Sequence, residues 1–374
     1  MTTLPALTYR IAFASLRGIN PTIGAEILAR VGTEENFFTF SADQLTACIG
    51  FRNKLYDKTT RDKALALARE ETEFVERSHI RPIYFRDKDY PARLLECTDA
   101  PLMLYTLGDC DLNGPRFISI VGTRHATAYG TAFVEDLVSS LAKECADRLV
   151  IVSGLAYGID VAAHKAALNA SLPTVGVLAH GLNTIYPAVH RDIAARMVRQ
   201  GGMLLTEYRS GAQIHKGNFL LRNRIVAGLS DCTLVVESDS HGGAMVTARL
   251  ALAYSRDVFA LPGRVSDRYS RGCNSLINSC VAHLVTCPDD IIDTMGWPRR
   301  PAEGDQQELF SDEQPPLTPQ EQTVIDTITR RGDATFQELS VHLAIPTPRL
   351  MGLLIDMELR SLILSLPGGR YRLR

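Results

Sequence analysis

Short apolar runs alternate with segments of helical periodicity through the middle of the chain. Residues 117–121 (FISIV), 149–153 (LVIVS), 174–179 (TVGVLA), 203–206 (MLLT), 232–237 (CTLVVE), 258–261 (VFAL) and 283–286 (HLVT) are strand-sized and rich in branched aliphatic residues. Helical patterns follow most of them, over 128–143, from Val161, from about His190, over 219–230 and over 244–254. Strand, loop and helix repeated this often predict a parallel sheet with crossover helices on both faces. The near-continuous apolar character of the strands is what a sheet covered on both sides requires.

The flanks read differently. Residues 1–114 look mostly helical, like a small SAM or helix-hairpin-helix module followed by a lead-in. In the stretch 16–28 (LRGINPTIGAEIL) a glycine turn precedes a helix start. That is similar to a helix-hairpin-helix, whose turn offers backbone N–H groups to a phosphate. Asn20 stands where such a hairpin has its second glycine, and Asn tolerates the left-handed conformation. A plain interhelical turn fits the same residues. Residues 298–316 are rich in proline and acids and read as a solvated linker. From 317 to 374 the order is a helix over 319–330, a second over 336–343 capped by Thr335 with Glu338 at the capping-box position, a third over 348–360, and a hairpin at Pro367-Gly368-Gly369. This order predicts a winged-helix module. Its third helix is heavily apolar, with arginines only at its ends, so a protein-interaction role competes with DNA reading. The expected fold class is therefore α/β: an extended Rossmann-like core over 115–297, a helical module before it and a winged helix after it.

Composition narrows the class. The 374 residues are 45% hydrophobic and 22% charged, as in soluble globular proteins of two or three domains. No apolar run reaches the roughly 18 to 20 residues of a membrane helix. The start lacks a basic stretch followed by an apolar one, so a cytoplasmic protein is expected. The eight cysteines form no C-x-x-C pair and the nine histidines no H-E-x-x-H, so neither a metal site nor a cofactor is predicted, and the thiols read as small buried hydrophobes. The formal net charge of −2 points to no polyanion by itself. Local clusters decide.

Ligands of an open parallel sheet bind beyond the carboxyl ends of the strands. Three glycine-rich loops are placed there. Residues 122–130 (GTRHATAYG) combine Gly122 and Thr123 with Arg124, a fixed charge beside a helix start, and read as a phosphate cradle. Residues 153–160 (SGLAYGID) bring Ser153 and Gly154. Residues 238–248 (SDSHGGAMVTA) bring Gly242, Gly243 and Thr247. The span from Tyr208 to Ser230 holds no acid, yet carries Arg209, Lys216, Arg222 and Arg224, with Asn223 between the last two. An acid-free basic span beside such loops favours a polyanion. Arg256, Arg264, Arg268 and Arg271 lie around the next loop, diluted by Asp257 and Asp267. The ATP-binding G-x-x-x-x-G-K-[ST] is absent, and the first loop departs from the dinucleotide G-x-G-x-x-G. Asp160 and His164 stand one turn apart, but a helix cap and a packed histidine explain them better than catalysis.

Together these strings resemble the DNA-processing protein A family (DprA, also called Smf): IVGTRHATAYG, VSGLAYGIDVAAH, GLNTIYP, FLLRNRIVAGLS and ESDSHGGAMVTARLALAYSRDVFALPG, followed by GCNSLI. The likeness runs in order over about 115–285. It implies an extended Rossmann fold that binds single-stranded DNA without enzymatic activity. It also implies protection of incoming strands in natural transformation, loading of the RecA recombinase and a homodimer through the central domain. Carried over, Arg124 falls on the family's DNA-binding arginine, Arg222 and Arg224 on its basic RNR segment, and Gly242, Gly243 and Thr247 on its glycine-rich loop. The family often has a DNA-contacting lysine after the YP pair. Here the residues are Ala188-Val189-His190-Arg191, so Arg191 or a protonated His190 is the substitute. The competing enzyme reading is a nucleoside-monophosphate hydrolase of Rossmann type, whose sheet also carries a GG-x-x-T loop. It would want a catalytic acid near Thr247, where Ala248-Arg249-Leu250-Ala251 has none.

Overall fold

The computed structural model describes residues 4–145, 147–300, 317–343, 345–360, 362–366 and 369–373. The chain divides into two units, Met1–Arg300 and Pro301–Arg374.

The first unit opens with helices α1 (Ala6–Ala14), α2 (Pro21–Val31), α3 (Glu34–Thr39), α4 (Ala42–Ile49) and α5 (Lys58–Arg77). Their starts follow capping chemistry. Asn20 accepts the Ile23 N–H before Pro21, and Ser41 with Gln44 closes a reciprocal capping box. Asn20 is therefore an extended N-cap with φ −104°, not the left-handed residue that a phosphate-binding hairpin would need. Its amide also donates to the Thr98 carbonyl at 2.8 Å, so the turn is tied to the α/β body.

Next come β1 (Arg81–Tyr84), α6 (Ala92–Leu95) and β2 (Met103–Gly108). β1 and β2 pair antiparallel, and β2 pairs antiparallel with β6 (Met203–Thr206). The sheet thus reaches back across the boundary expected at residue 114. The segments 80–85 and 102–107 carry that extension, and a mostly helical reading of the first block passes over them.

The remaining strands are β3 (Arg116–Val121), β4 (Leu149–Ser153), β5 (Thr174–Val177), β7 (Cys232–Val235), β8 (Asp257–Ala260) and β9 (His283–Leu284). Between them lie α7 (Ala128–Glu144), α8 (Ile159–Asn169), α9 (Arg191–Arg199), α10 (Lys216–Leu229), α11 (Gly243–Ala253), α12 (Arg271–Asn278) and α13 (Pro288–Met295). The nine strands run in the order β1-β2-β6-β5-β4-β3-β7-β8-β9 and are parallel from β6 to β9. Alternation along β3 shows why the sheet is apolar on both faces. Ile118 and Ile120 pack with α7 and α8, while Phe117 and Val121 join the core that holds α10 and α11. Five of the eight cysteines are buried in these layers.

The second unit contains α14 (Pro319–Arg331), β10 (Ala334–Thr335), α15 (Phe336–Leu343), α16 (Thr347–Leu359), β11 (Ile363–Leu366) and β12 (Arg370–Leu373). Its strands are ordered β10-β12-β11 around a core of Val324, Ile328, Leu339, Leu350, Leu354, Met357 and Ile363. The capping box read from the sequence is present, with Thr335 N–H to Glu338 at 2.8 Å and Glu338 N–H to Thr335 Oγ1 at 3.3 Å. The expected linker lies outside the described residues from 301 to 316.

Candidate functional site

Chain order reverses at β3. β4, β5 and β6 follow on one side of it, and β7 returns on the other. Such a switch point opens a crevice beyond the carboxyl ends of the two central strands. Here it is a cleft of about 590 Å³ between the loops after β3 and β7, walled by the start of α10.

The loop after β3 is held on both sides. Thr123 N–H donates to the Glu237 carbonyl at 2.6 Å, and Ile159 N–H donates to the Thr123 carbonyl at 3.2 Å. A side chain at Gly122 would place its Cβ 2.5 Å from Ile159 Cγ1, so only glycine fits. Gly158 has φ +74°, and a Cβ there would strike the Thr123 carbonyl. These constraints leave Arg124 exposed at the cleft, with its guanidinium 5.6 Å from the centre of the Phe219 ring. Among the described residues Arg124 has no carboxylate partner.

The helix starts do not all behave as the sequence suggests. Glycines 122 and 130 around Arg124 imply a phosphate cradle at the start of α7, but the protein's own Glu237 occupies that helix end. Its buried carboxylate accepts the Thr127 N–H at 2.9 Å and the Thr127 hydroxyl at 2.6 Å. A Cβ on Gly130 would collide with it. The opening start is that of α11. Gly242 caps it, and nothing lies within 4 Å of the position a Gly243 Cβ would take. The first N–H groups of a helix have no intrahelical acceptor, so this end favours an anion. Thr247 lies one turn further in and is buried, with its hydroxyl 3.5 Å from the Gly243 carbonyl. Asn223 lines the same wall.

The basic residues separate by role. Arg222 is buried under the cleft, where it donates to the Gly154 carbonyl at 2.7 Å and to the Val177 carbonyl. Its charge faces Asp160, which also accepts from the Gly154 and Ala156 backbone. Burial pushes the Asp160 carboxyl up, and Arg222 and these donors pull it back. Arg222 is thus a strut, with its charge covered, and Gly154 is small because any side chain would strike the guanidinium. Ser153 is fully buried and donates to the Ile120 carbonyl at 2.6 Å. Arg224 faces away from the cleft, paired with Glu207 at 2.5 Å and donating to the Asp99 carbonyl at 2.6 Å. Alternate residues of one helix face different sides, which a run of basic letters does not reveal. Lys216 is exposed at the first position of α10, and Arg191 is exposed at the first position of α9. His190 is buried with Nδ1 2.8 Å from the Leu155 carbonyl, so it is no exposed substitute for a lysine.

Asp160 and His164 do not form a pair. His164 Nδ1 is 2.7 Å from the Thr174 hydroxyl, and burial pushes its pKa down to about 3. Sequence reasoning missed the aromatic groups of the site. Phe219 lies under Arg124 and 5.8 Å from Tyr186, and His125 stacks on Tyr269 at 6.2 Å. The signal in the sequence is an aromatic residue in the first turn of the acid-free helix. Asp239 also lines the cleft, and Arg268 neutralises it at 2.7 Å.

Residues 81–296, from β1 through α13, match the model of the DNA recombination-mediator protein A family. The putative DNA processing protein DprA of Mycobacterium tuberculosis is 36% identical over 340 residues, covering 86% of this chain and 84% of that protein. The DNA processing protein DprA of Streptococcus pneumoniae is 39% identical over 206 residues, covering 55% of this chain and 71% of that protein. A crystal structure of the pneumococcal DprA aligns with a TM-score of 0.63 and 31% identity, covering 76% of this chain and 97% of that one. A structure of DNA processing protein A from Helicobacter pylori, described for its single-stranded DNA binding mode, aligns with a TM-score of 0.51 and 32% identity over 58% of this chain and 95% of that one. With the family's match spanning more than half of the chain and its glycine loops meeting at one switch point, the chain belongs to the DNA recombination-mediator protein A family.

Proposed function

We propose that the chain binds single-stranded DNA in the switch-point cleft and serves as a recombination mediator. The carrying observation is Arg124, a cation exposed and without a carboxylate partner among the described residues, set over an aromatic ring and beside the open start of α11. Backbone N–H groups and arginine recognise phosphate, and the Phe219 ring stacks on any base. Little sequence preference is therefore expected. The Helicobacter pylori neighbour supports the same ligand. Of the residues marked from sequence, Gly122, Thr123, Arg124, Asn223, Gly242, Gly243 and Thr247 line the proposed track, and Lys216, exposed at the start of the helix that carries Phe219, is proposed to extend it. Arg191 extends it in place of the absent lysine. Ser153, Gly154 and Arg222 act from beneath, by fixing the floor.

The family resemblance extends the proposal to protection of incoming strands in natural transformation, loading of RecA and a homodimer through the central unit, in the cytoplasm. No helix among the described residues is long and apolar enough to cross a membrane. The helix, strand, helix, helix, hairpin order of the second unit supports a winged-helix module. A binding role without catalysis is favoured over nucleotide hydrolysis, because Asp160, an acid lining the cleft, is buried facing the Arg222 charge.

Fluorescence anisotropy with single-stranded and duplex oligonucleotides tests the reading. Single strands should bind better. Affinity should fall about twentyfold between about 50 and about 200 mM salt if about three phosphates are neutralised. Salt-independent binding, or a clear preference for duplex, would refute it.

A further inference from the structure

The four arginines around the loop after β8 are sorted by their partners. Arg256 donates to Glu96 at 2.6 Å and to the Arg93 carbonyl at 3.0 Å, and holds the body together. Arg268 neutralises Asp239. Arg264 and Arg271 are exposed and have no carboxylate partner among the described residues. Arg264 lines a second cleft, of about 920 Å³, which the function proposed above does not use. This cleft adjoins the first, since Arg268 and Tyr269 line both.

Its chemistry differs from that of the first cleft. Asp267 and the covered carboxylate of Glu237 also line it, so it is no basic basin. It offers an aromatic shelf. Tyr129 is 53% exposed, yet its hydroxyl is anchored to the Pro262 carbonyl at 2.9 Å. An exposed ring held in one orientation has lost its conformational freedom before any ligand arrives, which favours stacking. At the boundary of the two clefts, His125 and Tyr269 lie stacked with an interplanar angle of 22°. Tyr269 is half-buried, and its carbonyl accepts the Ser238 N–H at 2.6 Å, so the boundary is fixed to the loop after β7.

We propose that the second cleft is a base-stacking extension of the DNA track: a strand bound in the first cleft continues past His125 and Tyr269, stacks a base on Tyr129 and meets one phosphate with Arg264. The inference rests on the single-strand reading above. Stacking tolerates any base and depends weakly on salt, whereas a phosphate contact depends on it. The two residues therefore leave different signatures.

The test is anisotropy with oligothymidylates over a series of lengths, from about 4 to about 20 nucleotides, on the full chain and on Tyr129→Ala, Tyr129→Phe and Arg264→Ala. The parent's affinity should rise with length until both clefts are filled. Tyr129→Ala should match the parent on short strands, fall behind by about tenfold on long ones and keep the parent's salt slope. Tyr129→Phe, which keeps the ring, should recover most of that loss. Arg264→Ala should lose affinity on long strands only, with a salt slope shallower by about 0.7. Length curves for Tyr129→Ala and Arg264→Ala that parallel the parent's would overturn the extension while leaving the first cleft intact. A parent that binds no single strand, or binds independently of Arg124, would instead remove the reading on which it rests.

Discussion

Replacing Arg124 by alanine separates binding from folding. Its guanidinium is exposed, pairs with no carboxylate among the described residues and rests 5.6 Å from the Phe219 ring centre. The loop around it is held by backbone hydrogen bonds from Thr123 and Ile159 and by the tight fits of Gly122 and Gly158, none of which involves the arginine side chain. The folded state loses at most an exposed cation–π contact, worth about 0.5 to 1 kcal/mol. Binding loses a charge-assisted contact worth about 1.5 to 3 kcal/mol, which is a ten- to hundredfold loss of affinity. One phosphate contact fewer should make the plot of log affinity against log salt shallower by about 0.7. Thermal melting and anisotropy with a labelled single strand across a salt series measure all three quantities. An alanine variant that melts like the parent and binds like the parent would refute the assignment of this loop to the site.

Arg222→Ala should behave in the opposite way, losing about 1 to 3 kcal/mol of stability in urea unfolding for each of the Gly154 and Val177 carbonyls left buried without its donor; stability within about 1 kcal/mol of the parent's, with binding alone impaired, would make Arg222 a ligand contact. The pH dependence of stability should carry a contribution from His164. Its pKa is about 3 when folded against the ordinary 6.5, so the unfolded chain takes up a proton first on acidification. The stability it supports is complete above about pH 6.5 and lost as pH falls toward 3, at up to about 1.4 kcal/mol per pH unit. Asp160 and Glu207, whose carboxyls burial pushes up, act in the other sense, so the measurement is the difference between the parent and His164→Gln in urea midpoints over that range. Truncation after residue 300 should leave most single-strand affinity in place, since every residue of the proposed track lies in the first unit; near-complete loss in a truncated chain with an intact circular dichroism spectrum would move the site to the second unit.

The parallel core was legible because strands buried on both faces must be continuously apolar, and runs such as LVIVS and MLLT coincide with β4 and β6. The antiparallel extension through β1 and β2 was not, because their segments stand among helical ones and nothing local states that β2 pairs with β6, about a hundred residues on. Glycine positions identified the loops, but their reasons needed three dimensions. Gly130 gives room to Glu237 and Gly154 to Arg222, while Gly243 alone of the three faces open space. The charge pattern named Arg222 and Arg224 together, yet neighbours two apart on a helix point differently. One became the floor of the cleft, and the other an ion pair with Glu207. A partner such as Glu207, outside the acid-free span, is invisible to any count made within it.

The central claim is that a single strand lies in the cleft between the loops after β3 and β7. Photocrosslinking tests it most directly, using oligonucleotides that carry 5-iodouracil at each position in turn, with the crosslinked peptides mapped by mass spectrometry. The account predicts adducts on Phe219 and its neighbours around the cleft, lost on Arg124→Ala and suppressed by salt. Crosslinks confined to residues 317–374, or to the α1–α5 helices, would contradict it.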